Sequence, residues 1–423
     1  MKITVSNNFS FITATIIFFL ICSTITGPAI SIATQELQIF RIMVLLTLLL
    51  SIRLWWKNSI HFSLNTVYFG FFIYFDFIWT SFVALFSNTL EINNFINSFM
   101  LILLILILIV VSSYKPITFI RLVYLASLTM FCVMIGVASW EIITGKHLAT
   151  SAINHDPYYL QNVPTTFFTN QNDFMAVMDL ILLLVFNYHK IFKLKKRFIE
   201  FLLFSLIIIL CIITGSRTNI AISIITICLF WLNKRNFLQF FTGLICFYFL
   251  IILVDTSYLE NFLSKYNFDY QMIIDSIQFF GGDESSKVRV NLYLDAIQSI
   301  SNNYGLGEGL NNSSLYFNQL NDSKLEGIIN PHNYLLEILI NSGLFLFTIY
   351  LCIIMKIVLE LVKNKKSSLA FSIFFYFFIL ISSSSSLYIF YHYVFLITIL
   401  TFQSISKSFD HKITDVSPQK VLS

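Results

Sequence analysis

The sequence predicts an all-α polytopic membrane protein with about 12 transmembrane helices and one large external loop between spans 9 and 10. Three observations predict it. The 423 residues are 57% hydrophobic and only 11% charged, against roughly 25% charge in a soluble chain. Mean hydropathy is +0.79. The apolar residues lie in blocks of about 20 rather than on helical faces, enough to cross a hydrocarbon core of roughly 30 Å. A helix in lipid satisfies its own backbone hydrogen bonds, so a chain with many such blocks folds as a helical bundle. This composition excludes a soluble enzyme, a disordered chain and a nucleic-acid binder.

The expected spans are 9–27, 37–54, 64–86, 95–113, 119–141, 171–188, 198–214, 218–232, 237–254, 333–357, 368–385 and 387–405. The first resembles a signal peptide, but its apolar run is longer than an h-region and further spans follow, so it is kept as a span. Within 95–113, residues 101–111 are unbroken Leu, Ile and Val. Spans 198–214 and 218–232 meet at the Gly-Ser-Arg-Thr step and form a tight helical hairpin. The last two spans divide around Ser382–Ser386.

Lys and Arg orient the bundle. With the N-terminus in the cytoplasm, nineteen of the 26 basic residues fall on the cytoplasmic side, most densely in the run from His189 to Arg197. The seven outside are Arg41, Lys146, Arg217, Lys265, Lys287, Arg289 and Lys324. Both termini are then cytoplasmic, as an even span number requires. The implied organisation is 1–254 for spans 1–9, 255–331 for an external loop with short helices, 332–406 for spans 10–12, and 407–423 for a cytoplasmic tail. All six cysteines lie within expected spans, as small packing residues rather than a disulfide framework or a metal site.

The long external loop holds ten acids and four bases between Asp255 and Asn330. Its apolar residues argue for structure. Residues 285–300 read as a helix with Ser285 or Ser286 as N-cap, followed by a turn-rich stretch at Gly305, Gly307 and Gly309.

Few residues can do chemistry. Asn330 reads as the N-cap and Pro331 as the first residue of the next span, which puts His332 in the first helical turn. The positive end of a helix disfavours an imidazolium, so a neutral ring able to accept a proton is expected there. Asn333, Glu337 and Asn341 recur at i, i+4 and i+8, a polar stripe that should face protein or a water-filled cavity rather than lipid. The plainer reading makes His332 an interfacial residue and the stripe a packing seam. Arg217 lies in a short external turn, where a guanidinium suits a bidentate phosphate contact and the following helix start adds N–H donors. Its plainer reading is snorkelling to the headgroups. Arg289, on the loop helix, reads as a solvated charge. Asn172 and Asp173 open a span and read equally as caps. Asp76 sits mid-span, as either a proton or ion site or the partner of a buried Arg or amide. His147, His155 and His392 have no supporting pattern.

No P-loop, no His-Glu-x-x-His, no Cys/His metal spacing, no serine nucleophile elbow and no external Asp-x-Asp is present. A neutral His with arginines and amides suits a metal-free, cofactor-free transfer with a phosphate leaving group. The His takes a proton from an acceptor hydroxyl and Arg stabilises the departing charge.

Four segments together resemble the O-antigen ligase/polymerase superfamily, in that family's order. They are FFTNQNDFMA (167–176), ITGSRTNIAI (213–222), VRVNLYLDAIQSISNNYGLGEGL (288–310) and PHNYLLEILINSGLFLF (331–347). In the family a Pro usually precedes the Gly-x-Gly stretch; here Asn303 and Tyr304 precede Gly305. The resemblance implies a membrane glycosyltransferase of the bacterial cytoplasmic membrane, with a glycan on undecaprenyl diphosphate as donor. It implies Arg217 and Arg289 on the diphosphate, His332 as general base, and Asn333, Glu337 and Asn172 in support. Inversion at the anomeric carbon, and partners such as a flippase and a chain-length regulator of the same pathway, are implied too. Polymerase is favoured over a ligase that passes the glycan to a lipid A core or another envelope acceptor. Two rivals are a transporter or flippase of the same lipid-linked sugar and a non-catalytic envelope scaffold. The first predicts matched discontinuous helices in two halves, which the sequence lacks.

Overall fold

The computed structural model describes residues 9–27, 38–57, 60, 62–148, 151, 162–194, 196–231, 284–310, 333–381 and 389–414. Their elements are α1 (Phe11–Thr26), α2 (Ile39–Lys57), α3 (Leu64–Phe86), α4 (Ile92–Tyr114), α5 (Pro116–Thr144), α6 (Gln171–Ile191), α7 (Arg197–Ile213), α8 (Arg217–Trp231), α9 (Glu284–Asn302), α10 (Tyr334–Lys363), α11 (Ser367–Ile381) and α12 (Tyr391–Thr414). The protein is helical, and eleven of the twelve expected spans coincide with described helices. The range 237–254 and the Ser382–Ser386 division lie outside the described residues. Among the described residues, six helices, α2 to α6 and α10, are long and apolar enough to cross a membrane.

Helix α6 is the axis of the bundle. Every residue from Asp173 to His189 is buried, and α5, α7, α8, α11 and α12 all pack on it. An isolated helix in lipid gains nothing from hydrophobicity when it meets a neighbour, so interhelical hydrogen bonds and close packing hold the bundle. Asp179 and Asn187 are among the polar side chains on α6 that do this. Asp179 Oδ1 accepts from Ser223 Oγ of α8 at 2.5 Å, and Asn187 Nδ2 donates to Ser372 Oγ of α11 at 2.6 Å. Farther out, Ser127 of α5 bonds the Tyr391 hydroxyl of α12 at 2.6 Å. Asn65 of α3 donates to Glu360 of α10 and Gln403 of α12.

The part of the connection before α6 that spans residues 163–168 is buried in the bundle. Glu141 of α5 is wholly buried. Its Oε2 accepts the N–H groups of Thr165 and Thr166, both at 2.8 Å, and its Oε1 faces His147 Nδ1 at 3.4 Å. His155 lies outside the described residues.

Among the described residues, five helices end alike. Asn88, Lys193, Gly215, Tyr304 and Lys365 each adopt a left-handed backbone just past the end of α3, α6, α7, α9 and α10. The following N–H returns to the carbonyl five residues back, as in Leu194 N to His189 O and Lys366 N to Leu361 O, both 2.8 Å. Each such ending reverses the chain within a few residues.

Candidate active site

Two junctions carry the residues singled out in the sequence. The first joins the opening of α6 to the Ser–Arg turn. Asn170, not Asn172 or Asp173, caps α6: its Oδ1 accepts the N–H groups of Asn172 at 2.9 Å and Asp173 at 3.0 Å. Asp173 holds that cap by accepting from Asn170 Nδ2 at 2.9 Å. An Asx side chain one residue before the helix satisfies the first free donors, which a residue already inside the helix cannot do. Asn172 is thereby released for another partner. Its Oδ1 accepts from Ser216 Oγ at 3.2 Å, and Ser216 Oγ in turn accepts from Asn219 Nδ2 at 2.8 Å. Ser216 precedes Arg217, the first residue of α8. The N-termini of α6 and α8 therefore meet at this turn, and the positive ends of both helix dipoles point to it.

The second junction docks the glycine loop onto α10. Helix α10 is broken at Gly343, where φ is 80° and ψ 172°. The break frees carbonyls that an unbroken helix would use. Glu308 N donates to Ile340 O at 2.7 Å and Gly309 N to Asn341 O at 3.1 Å. Leu344 N, past the break, donates to Gly305 O at 2.8 Å. The loop also reaches α3, with Leu310 N on Thr80 O at 3.1 Å and Trp79 Nε1 on Leu306 O at 3.1 Å. Glu308 fastens it to the end of α9 by accepting from Ser299 and Asn303. Main chain lies against main chain here. A Cβ on Gly307 would come to 2.6 Å from Asn341 O, and one on Gly309 to 2.7 Å from Ala84 N. Gly307 and Gly309 also have φ of 91° and 88°, so space and backbone both require glycine.

Asn333 caps α10, accepting from Leu335 N at 3.0 Å and Leu336 N at 3.4 Å. This corrects the expectation of Asn330 as cap and His332 in the first turn. His332 precedes the cap in sequence and lies outside the described residues, as does Pro331. The cap shifts because Asn333 is itself a strong capping type with two N–H groups in reach. The polar stripe behaves as expected: Glu337 is 3% exposed and Asn341 4%. The loop helix begins at Glu284, so Ser285 and Ser286 occupy its first turn instead of capping it. Arg289 lies on α9, which packs on α10, the helix that carries Glu337.

Under the glycine loop is a cavity of about 80 Å³, between α3, α4, α10 and α12. Asp76, Asn97, Ser98, Asn341 and Ser342 supply its polar wall, and Tyr334, Tyr350 and Tyr393 much of the rest. A space of this size and polarity admits water. Asp76 Oδ1 is buried with no hydrogen-bond partner among the described residues, so no Arg or amide among them holds that oxygen. Asn97 accepts from Arg41 Nη2 of α2 at 2.8 Å, which brings a basic residue expected outside to the cavity wall. Sequence reasoning missed this pair, because each member is a lone polar residue on a different helix. It also left His392 aside. His392 is fully buried, bonded through Nδ1 to the Tyr376 hydroxyl at 2.8 Å, and its ring lies 5.0 Å from that of Tyr334.

The family model described as O-antigen ligase matches residues 202–351. That interval includes the Ser–Arg turn, the loop helix with its glycines, and α10 through its break. A teichuronic acid biosynthesis protein, TuaE, of Bacillus subtilis (strain 168) is 28% identical over 239 residues, 53% of this chain. The match covers 46% of that relative, so this chain spans about half its length. No solved structure matches.

Proposed function

We propose, from the premise that this chain is a helical membrane protein of the O-antigen ligase/polymerase superfamily, that it polymerises lipid-linked oligosaccharide repeat units of a surface polysaccharide. The donor is a glycan on undecaprenyl diphosphate and the acceptor a hydroxyl of the next lipid-linked unit. The acceptor oxygen bonds the anomeric carbon as the bond from that carbon to the diphosphate oxygen breaks, with inversion. The acceptor proton goes to His332, and the leaving diphosphate carries off the electron pair. Arg217 and Arg289 stabilise its charge. No metal takes part. Asn172 supports the Arg217 turn, while Asn333 and Glu337 hold the start of α10.

One observation carries this reading: two helix N-termini converge on the turn that leads into Arg217, tied by the Asn172–Ser216–Asn219 bonds. Such a place favours a compact polyanion. In the proposed orientation it faces outward in the bacterial inner membrane with both termini cytoplasmic, and 255–331 is the external loop. The relative's name links it to teichuronic acid biosynthesis, which supports a polymer as product.

The ligase reading is favoured by one fact, the family's description as O-antigen ligase. Incubation of the purified protein with a lipid-linked repeat unit separates the readings. A ladder of chain lengths is expected. Product only when a lipid A core or other envelope acceptor is added makes it a ligase, and movement of the lipid across a vesicle without bond formation makes it a transporter. His332→Ala should abolish extension at normal membrane abundance; normal chain lengths in that variant would remove His332 as the base.

A further inference from the structure

At the opposite end of α6 from the Ser–Arg turn, residues of α6, α7, their connection and the end of α8 line an open cavity of about 270 Å³. Lys190, Lys193 and Arg197 line it. Its acid, Glu200, is buried and bonded through Oε1 to His189 Nδ1 at 2.8 Å. His189 is pinned from its other side by the Tyr124 hydroxyl at 3.0 Å from Nε2. Phe186 and Phe230 form the apolar wall, and Lys190 Nζ stands 5.1 Å from the Phe230 ring centroid. Three cations thus share one concavity with a greasy side.

Basic residues collect on one face of any such bundle to set its orientation. That rule asks only for charge near the membrane surface. It does not ask for a cavity, for a rigid floor of buried His–Glu–Tyr, or for an aromatic wall against one ammonium. We infer that this cavity is a binding site for a phosphate ester, presented by an anionic lipid headgroup or free in solution. The Arg197 fork and the two ammonium groups meet phosphate oxygens, and Phe186 and Phe230 accept the glycerol or acyl portion of a lipid. The site lies away from the glycine loop and the Ser–Arg turn and does not depend on the reaction proposed above.

The test uses the full chain in detergent and native mass spectrometry. Phosphatidylglycerol, phosphatidylcholine and inorganic phosphate are each titrated against wild type and two double variants. Lys193→Gln with Arg197→Gln removes two charges from the cavity. Lys363→Gln with Lys365→Gln removes two from the α10–α11 turn, where Lys365 has the same left-handed backbone as Lys193, so backbone effects cancel. Retention of phosphatidylglycerol should fall about 30-fold in the first variant, the loss expected for two basic groups beside an anionic headgroup, and stay near wild type in the second. Phosphatidylcholine should bind weakly throughout. Binding of inorganic phosphate that only the first variant loses would assign the site to a free phosphate ester. Equal losses in both double variants, or no preference for phosphatidylglycerol over phosphatidylcholine together with no phosphate binding, would overturn the inference. Size-exclusion profiles of the variants show that each remains folded.

Discussion

The Ser–Arg turn and the glycine loop both join segments distant in sequence, and they use different parts of the chain. At the turn, side chains make the link: Asn172, Ser216 and Asn219 contribute oxygen and nitrogen atoms that another residue can replace. At the loop, the main chain makes it. Glu308, Gly309 and Leu344 offer N–H groups to carbonyls bared by the break at Gly343 or by the loop itself. A side-chain junction can be trimmed one bond at a time. A main-chain junction fails when a single methyl group separates the two backbones. The first can be adjusted by single side chains, and the second is fixed by the close approach of two backbones.

The largest effect is expected from Gly343→Ala. The new Cβ would meet the Leu306 carbonyl carbon at 2.5 Å, in a backbone with φ of 80°. Left-handed strain and overpacking together cost roughly 2–4 kcal/mol, so the variant should melt well below wild type in detergent and make no polymer. An unchanged melting temperature would show that the loop does not dock as described. Next is Arg217→Lys, expected to reduce turnover roughly 100-fold, the scale for losing a charge-stabilising donor, with normal melting. Full activity would reduce Arg217 to a headgroup anchor.

Two neighbouring glycines sharpen the contrast. Gly305→Ala places its Cβ 3.5 Å from Leu344 Cβ, an ordinary contact, so only the left-handed backbone is penalised, at about 1 kcal/mol. Gly307→Ala adds a 2.6 Å approach to Asn341 O and should cost clearly more. Equal melting of the two would argue against main-chain packing as the constraint. The smallest effect belongs to the side-chain junction. Ser216→Ala removes the shared hydroxyl for about 1 kcal/mol and should leave a folded, slower enzyme. Loss of fold in that variant would erase the distinction between the junctions.

Much of the fold was legible from hydropathy, because a span in lipid is specified by a local run of apolar residues. The i, i+4 recurrence of Glu337 and Asn341 correctly announced a buried face on α10. Helix starts were read less well. Asn330 and Asn333 are both capping types, as are Asn170 and Asn172, and sequence alone does not say which one is a residue ahead of the first helical turn. Gly343 was visible as a glycine in a helix, but nothing nearby announced that its bared carbonyls would receive residues more than thirty positions upstream. Arg41 and Asn97 were each visible as a polar residue in an apolar helix, and their pairing was not.

Composition and charge order, which are properties of the chain read in one dimension, were enough to establish lipid as the solvent, helices as the response to it, and the short list of polar groups available for chemistry. Which of those groups meet was decided by packing. Ser216 lies 44 residues from Asn172, and the glycine loop finds its partners across a helix break and on α3. In a bundle of apolar helices every neighbour is equally greasy. The partner that wins is the one whose close approach satisfies buried hydrogen bonds, and that choice exists only in three dimensions.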